Sequence, residues 1–344
     1  MKASIAIFAE ADRKIGTGHL VESLDLARLA LKESISVSLW VRSGAPESIL
    51  SKAPCAYRLF DSLSSSDAPD IRAQLKENGC RCAILNFRKV SNNEVLRLKT
   101  EDLKIICIDE LGGLHLDCDA VINSSIVEKY HSYTSSVKDF EVFKGPAYLA
   151  MSEEYRKAHT RNRAFTGEIK VVTVTMGGVD RTGATIRLID ILSSWRKEAV
   201  KNIVLGAGFL RAKEARLRIE AHMDKNFRIF QDLPGLEPLV SASDVVFTAG
   251  GNTLYELACV GTPPIVLYED NHEMENGIAF EKLGFGFCPG RSADVNETTV
   301  MNALNVFDDP RLRQAHADAG KRLVDGRGAR RILDVVRRIG QGLS

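Results

Sequence analysis

Strand-length apolar runs alternate with amphipathic helical segments from one end of the chain to the other, and this alternation restricts the fold more than any other feature. In the first half the runs are SIAIFA, VSLWVR, YRLF, CAILNF, KIICID and AVIN. Such runs suit strands that are buried on both faces of a parallel sheet. The clearest helical segment between them, GHLVESLDLARLALKE, carries Leu20, Leu24, Ala27 and Leu31 at helical spacing. Between Asp139 and Glu168 the pattern is lost, and IKVVTVTMGG then opens a second series continued by NIVLGAG, FRIFQDL, DVVFTAGG and PPIVLYE. The pattern predicts an N-terminal α/β domain over 1–150, a linker over 151–168 and a second α/β domain over 169–325. A C-terminal helix over 326–344 is left to pack back on the first domain. Open parallel sheets take ligands at the carboxyl ends of their strands, so a cleft between the two domains is the expected site.

Charge and composition remove several classes of partner. A formal net charge of +1 over 344 residues leaves no polycationic footprint for nucleic acid. The basic string RGARRILDVVRR suits a solvated helix face, with room for a weak peripheral contact with an anionic membrane. No apolar run reaches the roughly eighteen residues of a membrane span. Glu10 and Asp12 interrupt the opening apolar stretch too early for a signal peptide, and a cytoplasmic protein is expected. The seven cysteines are scattered and odd in number, which suits small buried apolar residues in a reducing compartment. No His/Cys/Asp cluster has ligand spacing, so neither a metal nor a cofactor is expected.

Three glycine-marked turns carry the chemistry. In the first, IGTGHLVES, the run SIAIFAE hands over to a helix through Gly16, Thr17 and Gly18, with His19 in the first helical turn. Backbone N–H groups at a helix start suit an anion or a reacting water. The helix dipole favours a neutral, proton-accepting imidazole there. Position 21 is Val, so the turn is not a Gly-x-Gly-x-x-Gly dinucleotide fingerprint. In the second turn, VTVTMGGVDRTGAT, Gly177 and Gly178 end a strand and Thr182 is placed to cap the next helix. This turn reads equally as a substrate-facing loop or as a hinge. The third, DVVFTAGGNTLYELACVG, ends a strand in Gly250 and Gly251, and Asn252 and Thr253 open a helix, an anion site for a diphosphate. Glu256 lies one turn further on, where a carboxylate accepts hydrogen bonds from a diol such as ribose. Asn271 follows the next strand.

The third window resembles the nucleotide-binding half of GT-B glycosyltransferase-like proteins, especially the transferase that adds N-acetylglucosamine in lipid II synthesis. The first is similar to the opening motif of a narrower group, the UDP-sugar hydrolase of pseudaminic acid synthesis and related spore-coat polysaccharide proteins. That group has an Ile-Gly-x-Gly-His turn, a Met-Gly-Gly turn and a glycine- or serine-rich turn before an Asn-Glu or Tyr-Glu helix. Here these are Ile15 to His19, Met176 to Gly178 and Gly250 to Glu256, in the same order along nearly the whole chain. The resemblance implies a GT-B-like fold of two Rossmann-type domains facing across a cleft. It also implies metal-independent removal of UDP from a diacetamido-trideoxyhexose. His19 matches the catalytic histidine; Gly250, Gly251, Asn252, Thr253 and Glu256 match the nucleotide loop; Asn271 matches an Asn after the next strand. The group commonly has Arg-x-Asp before the first turn, where this chain has Phe8 and Glu10. Its Arg three residues after the histidine is Glu22 here, and its Asn-Gln pair is Asn271-His272.

The expected site therefore has Glu10 and His19 as catalytic groups, with Glu10 or Asp12 orienting the imidazole or binding sugar hydroxyls. Gly16, Thr17, Gly18, Glu22, Gly177 and Gly178 line the substrate, Glu22 from the next helical turn. A glycosyltransferase using the same UDP seat is the main alternative, and a non-catalytic nucleotide-sugar binding protein is the second.

Overall fold

The computed structural model describes residues 4–12, 16–63, 66–206, 208–231, 233 and 235–340, so Ile15 of the first motif lies outside the described residues. The chain divides into two compact units, Met1–Ser152 with Arg327–Ser344, and Glu153–Gly326.

In the first unit the strands are β1 (Ser4–Ala9), β2 (Ser36–Arg42), β3 (Tyr57–Phe60), β4 (Cys82–Asn86), β5 (Lys104–Ile108), β6 (Leu114–His115), β7 (Ala120–Asn123), β8 (Tyr133–Thr134) and β9 (Glu141–Lys144). Seven of them form a sheet in the order β3-β2-β1-β4-β5-β7-β9, parallel throughout, and β6 pairs with β8 separately. Successive side chains of a strand point to opposite faces. Ile5, Ile7 and Ala9 of β1 therefore enter one core, while Ala6 and Phe8 enter the other. Helix α1 (Gly18–Lys32) covers the first face with Leu20, Leu24 and Ala27. The helix Gly328–Ile339 joins the same core through Ile332, Leu333 and Val336, so the C-terminal segment belongs to the first unit. Its arginines find partners within that unit: Arg330 and Arg337 pair with Glu33, and Arg338 pairs with Glu141.

The second unit contains β10 (Val171–Thr175), β11 (Val200–Leu205), β12 (Phe227–Gln231), β13 (Val245–Thr248), β14 (Pro264–Tyr268) and β15 (Phe287–Arg291). They form a parallel sheet in the order β12-β11-β10-β13-β14-β15. Both sheets start at a central strand, step outward to one side and then return to the other. The strand order reverses between β1 and β4 in the first unit and between β10 and β13 in the second. Ligands of open α/β sheets bind outside the carboxyl ends of the strands at such a reversal. All three glycine turns leave strands that border a reversal: β1, β10 and β13. Among the described residues, no helix is long and apolar enough to cross a membrane.

Candidate functional site

The turn after β1 is closed by a small backbone bridge. Gly16 N donates to Asp12 O at 2.9 Å, and Gly16 sits at φ +90°, a conformation that favours glycine. Thr17 occupies the N-cap of α1 without a side-chain cap bond, and its carbonyl accepts from Val21 N at 3.0 Å. Gly18 begins the helix, and His19, only 6% exposed, follows in its first turn.

Across the reversal, β4 ends in the fully buried Asn86, and this residue holds the histidine. His19 Nδ1 lies 3.0 Å from Asn86 Oδ1. The opposite end of the amide, Nδ2, lies 3.2 Å from His19 O, 3.1 Å from Glu22 Oε2 and 3.1 Å from Ser23 Oγ. A backbone carbonyl can only accept, so the NH2 end must face it and the oxygen must face the ring. Turning the amide over would leave buried acceptors against acceptors, at about 1–3 kcal/mol for each group left unmet. In the neutral ring the proton therefore sits on Nδ1, and Nε2 carries the free lone pair.

Glu22, expected to meet the substrate, is only 3% exposed and packed inside the unit. Its carboxyl accepts from Asn86 Nδ2 and, at 3.2 Å, from Ala150 N. Burial, reinforced by the charge of Glu110, pushes it up to about 7 against the opposing pull of His19 and these hydrogen bonds. Glu10 also differs from expectation. Its Oε1 accepts from Arg88 N at 2.7 Å and its Oε2 pairs with Arg42 at 3.1 Å, while Arg42 stacks over Phe87 at 4.6 Å. The carboxylate thus anchors the end of β1 to β2 and to the chain after β4, and the imidazole takes its orientation from Asn86 instead. The signal for Asn86 was present in CAILNF as a polar residue ending an apolar strand.

In the second unit, Gly177 (φ +73°) and Gly178 follow β10, and Gly208 N donates to Gly178 O at 2.8 Å. A Cβ on Gly206 would collide with the carbonyls of both. The next helix, α2 (Ala184–Ser194), is capped by Asp180 rather than Thr182: the Asp180 carboxylate accepts from Ala184 N and Thr185 N, both at 2.9 Å. Thr182 Oγ1 instead bonds Ser292 Oγ at 3.0 Å.

After β13, the two glycines differ. A Cβ on Gly250 would overlap the backbone carbonyl of Glu273, and Gly250 O accepts from Asn276 Nδ2 at 3.0 Å. Gly251, the N-cap of helix α3 (Asn252–Val260), would carry a Cβ with nothing within 4 Å. The N-cap glycine gives this helix no side-chain cap bond, and its first residues Asn252 and Thr253 are half-buried, as is Glu256 one turn on. Asn271 is exposed and opens helix α4 (Asn271–Lys282), whose N-cap Asp270 accepts from Glu273 N at 3.0 Å. Beside it Glu269 pairs with Arg181 at 3.0 Å, and Glu273 accepts from Glu269 N at 2.7 Å. Burial and the charges of Asp270 and Glu269 push Glu273 up to about 7. Among the described residues, no group of three or more His, Cys, Asp or Glu side chains could hold a metal ion.

No protein-family model matches the chain. It is 22% identical over 335 residues to the spore coat polysaccharide biosynthesis protein SpsG of Bacillus subtilis, covering 96% of this chain and 97% of that one. Its fold is similar to that of MurG from Acinetobacter baumannii, with a TM-score of 0.64 at 10% identity over 97% of this chain and 99% of the other. It is also similar to a UDP-GlcNAc 2-epimerase from Neisseria meningitidis bound to UDP-GlcNAc, with a TM-score of 0.61 at 11% identity over 98% of this chain and all of the other. The two parallel-sheet domains and these likenesses define a GT-B-like fold.

Proposed function

We propose that the chain is a nucleotide-sugar enzyme of polysaccharide or nonulosonic acid biosynthesis, hydrolysing a UDP-activated amino or deoxy sugar. The observation that carries this reading is the Asn86–His19 bond, which leaves His19 Nε2 as a proton acceptor at a strand-order reversal. In the proposed reaction the oxygen of water bonds to the anomeric carbon as the bond to the diphosphate oxygen breaks. The water proton passes to Nε2, and UDP leaves. A positioned base of this kind is typically worth about 10²–10⁴ in rate. The second unit would seat the diphosphate on the backbone N–H groups at Gly251–Thr253, at the start of helix α3, which oppose the charge developing on the leaving group. Glu256 would accept from the ribose diol. Similarity to SpsG along nearly its whole length supports the assignment to polysaccharide biosynthesis. The UDP-sugar named in the epimerase structure supports the nucleotide.

The test is incubation with candidate UDP-diacetamido-sugars in oxygen-18 water. Hydrolysis releases UDP without any added acceptor and labels the free sugar at its anomeric carbon. Release only with an added glycan, lipid or peptide, and no label in the sugar, would make the protein a transferase. Inversion at carbon 2 with the UDP-sugar otherwise retained would make it an epimerase.

A further inference from the structure

Asn86 and Glu22 are absent from the chemistry just described, yet both are buried against its base. We propose that Asn86 and Glu22 are positioning residues for His19: Asn86 fixes the proton on Nδ1, and Glu22 fixes which end of the Asn86 amide meets the ring. This deepens the reading of His19 as the base and rests on it for its consequence in turnover, while the tautomer itself can be measured without substrate.

The argument is one of donors and acceptors. Asn86 has one oxygen and one NH2, and the two ends meet groups of opposite character. The oxygen faces His19 Nδ1, and the NH2 faces His19 O, Glu22 Oε2 and Ser23 Oγ. Glu22 in turn is held by Ala150 N, so its carboxyl cannot swing away without abandoning a buried backbone donor. The groups facing Glu22 are His19 on its own helix, Asn86 at the end of β4, Glu110 in the loop after β5, and the backbone of Ala150. Both donors that reach the carboxyl favour its ionised form, whereas burial and Glu110 favour the protonated one. A proton on Glu22 would turn one of its accepting oxygens into a hydroxyl beside an N–H, loosening the grip on the amide. The place where the UDP-sugar hydrolases described above carry an arginine thus holds, in this chain, a carboxyl that acts through Asn86.

The experiment is two-bond nitrogen–proton correlation NMR on the full chain labelled with nitrogen-15 histidine, at a pH where the ring is neutral. His19 is assigned by the signal lost in His19→Gln. The wild-type ring should show protonated Nδ1 and unprotonated Nε2. In Asn86→Leu that pattern should give way to the Nε2–H form, and kcat on the UDP-sugar should fall by about 10² or more, as wrong-tautomer variants of other enzymes do. Asn86→Asp keeps an acceptor toward Nδ1 and should retain the wild-type pattern. Glu22→Gln, which offers one acceptor where two are needed, should give a mixture and change the shape of the pH–rate profile. A wild-type ring protonated on Nε2, or an unchanged tautomer in folded Asn86→Leu, would overturn the proposal. Should the Leu variant not fold, the wild-type spectrum and Asn86→Asp still decide it. A correct tautomer with no turnover of any UDP-sugar would leave the positioning intact and remove the hydrolase reading instead.

Discussion

The two units repeat one topological device and use it differently. Each places its polar turns at a reversal of strand order. In the first unit, the residues there are side chains locked to one another: His19 on Asn86, Asn86 on Glu22, Glu22 on Ala150, and Glu10 on Arg42 and Arg88. In the second, the turns after β10 and β13 offer backbone, with Gly177–Gly178 and Gly250–Gly251 in place of side chains. The difference shows what a strand-end glycine is for. Gly206 and Gly250 are small because another stretch of the protein's own backbone lies where a Cβ would go. Gly16 and Gly251 face open space, and Gly251 combines that openness with an ordinary φ of −88°. At Gly251, as at Gly235, both packing and conformation permit a side chain, so the fold itself does not demand glycine there.

If the first unit supplies a base and the second only a seat, His19→Asn should separate the two. Turnover of a UDP-sugar should drop by about 10²–10⁴. UDP affinity by calorimetry and the thermal midpoint should stay near wild type, since Asn can still reach its neighbour through a polar atom. Equal loss of turnover and UDP binding would merge the two roles.

The next largest effect concerns the buried carboxyls that each unit keeps near its turn, Glu22 and Glu273, both pushed up to about 7. An acid whose pKa is raised on folding holds its proton in the native state over a range where the unfolded chain has lost it. Stability from such a group is full below its unfolded value, near 4.5, and declines as pH rises toward 7. For Glu22 this is on the order of 3 kcal/mol between pH 4.5 and 8. Urea titrations at several pH values should show that decline, and Glu22→Gln should flatten it. A wild-type curve that rises through this range even after the other carboxyls are allowed for would contradict the burial argument.

How much of this was legible in the sequence follows from which forces are local. Strands buried on both faces read as unbroken apolar runs, so the tandem parallel sheets were visible in the sequence, and the GT-B-like fold was implied by the resemblance of the glycine turns. The handover from β1 to α1 was visible because glycine is demanded by backbone geometry at Gly16. The partners were not visible. Asn86 is 67 residues from His19, and nothing local says that its amide oxygen will point at that ring. Glu10 was read as a catalytic group orienting the imidazole or binding sugar hydroxyls, and its pairing with Arg42 was hidden because Arg42 arrives from a different strand. Thr182 was read as a helix cap because Asp180, held at φ +47°, reaches the same N–H groups from two residues earlier.

The contrast between the adjacent glycines gives a further stability test. Gly250→Ala forces a methyl into the Glu273 carbonyl, and overpacking of this kind costs about 1–3 kcal/mol. The thermal midpoint should fall accordingly, and UDP affinity should fall with it because Asn276 holds the carbonyl of Gly250 itself, so a shift there disturbs the turn. A midpoint within a degree of wild type would mean that helix α4 yields easily there.

Gly251→Ala should have the smallest effect on stability and the most selective effect on binding. Its φ is accessible to any residue, and the new methyl would meet no protein atom within 4 Å. The remaining cost is the weaker N-cap preference of alanine, under about 1 kcal/mol. A ligand diphosphate drawn to the N–H groups of Asn252 and Thr253 must approach through the space that this methyl occupies. UDP affinity should therefore drop at least tenfold while the melting curve hardly moves, and UMP, with one phosphate fewer, should lose less than UDP. Equal losses for the two nucleotides would place the methyl against the base or ribose. An unchanged affinity for both would mean that the space beside Gly251 is not where the phosphates sit, and the anion seat would have to be sought at the turn after β10.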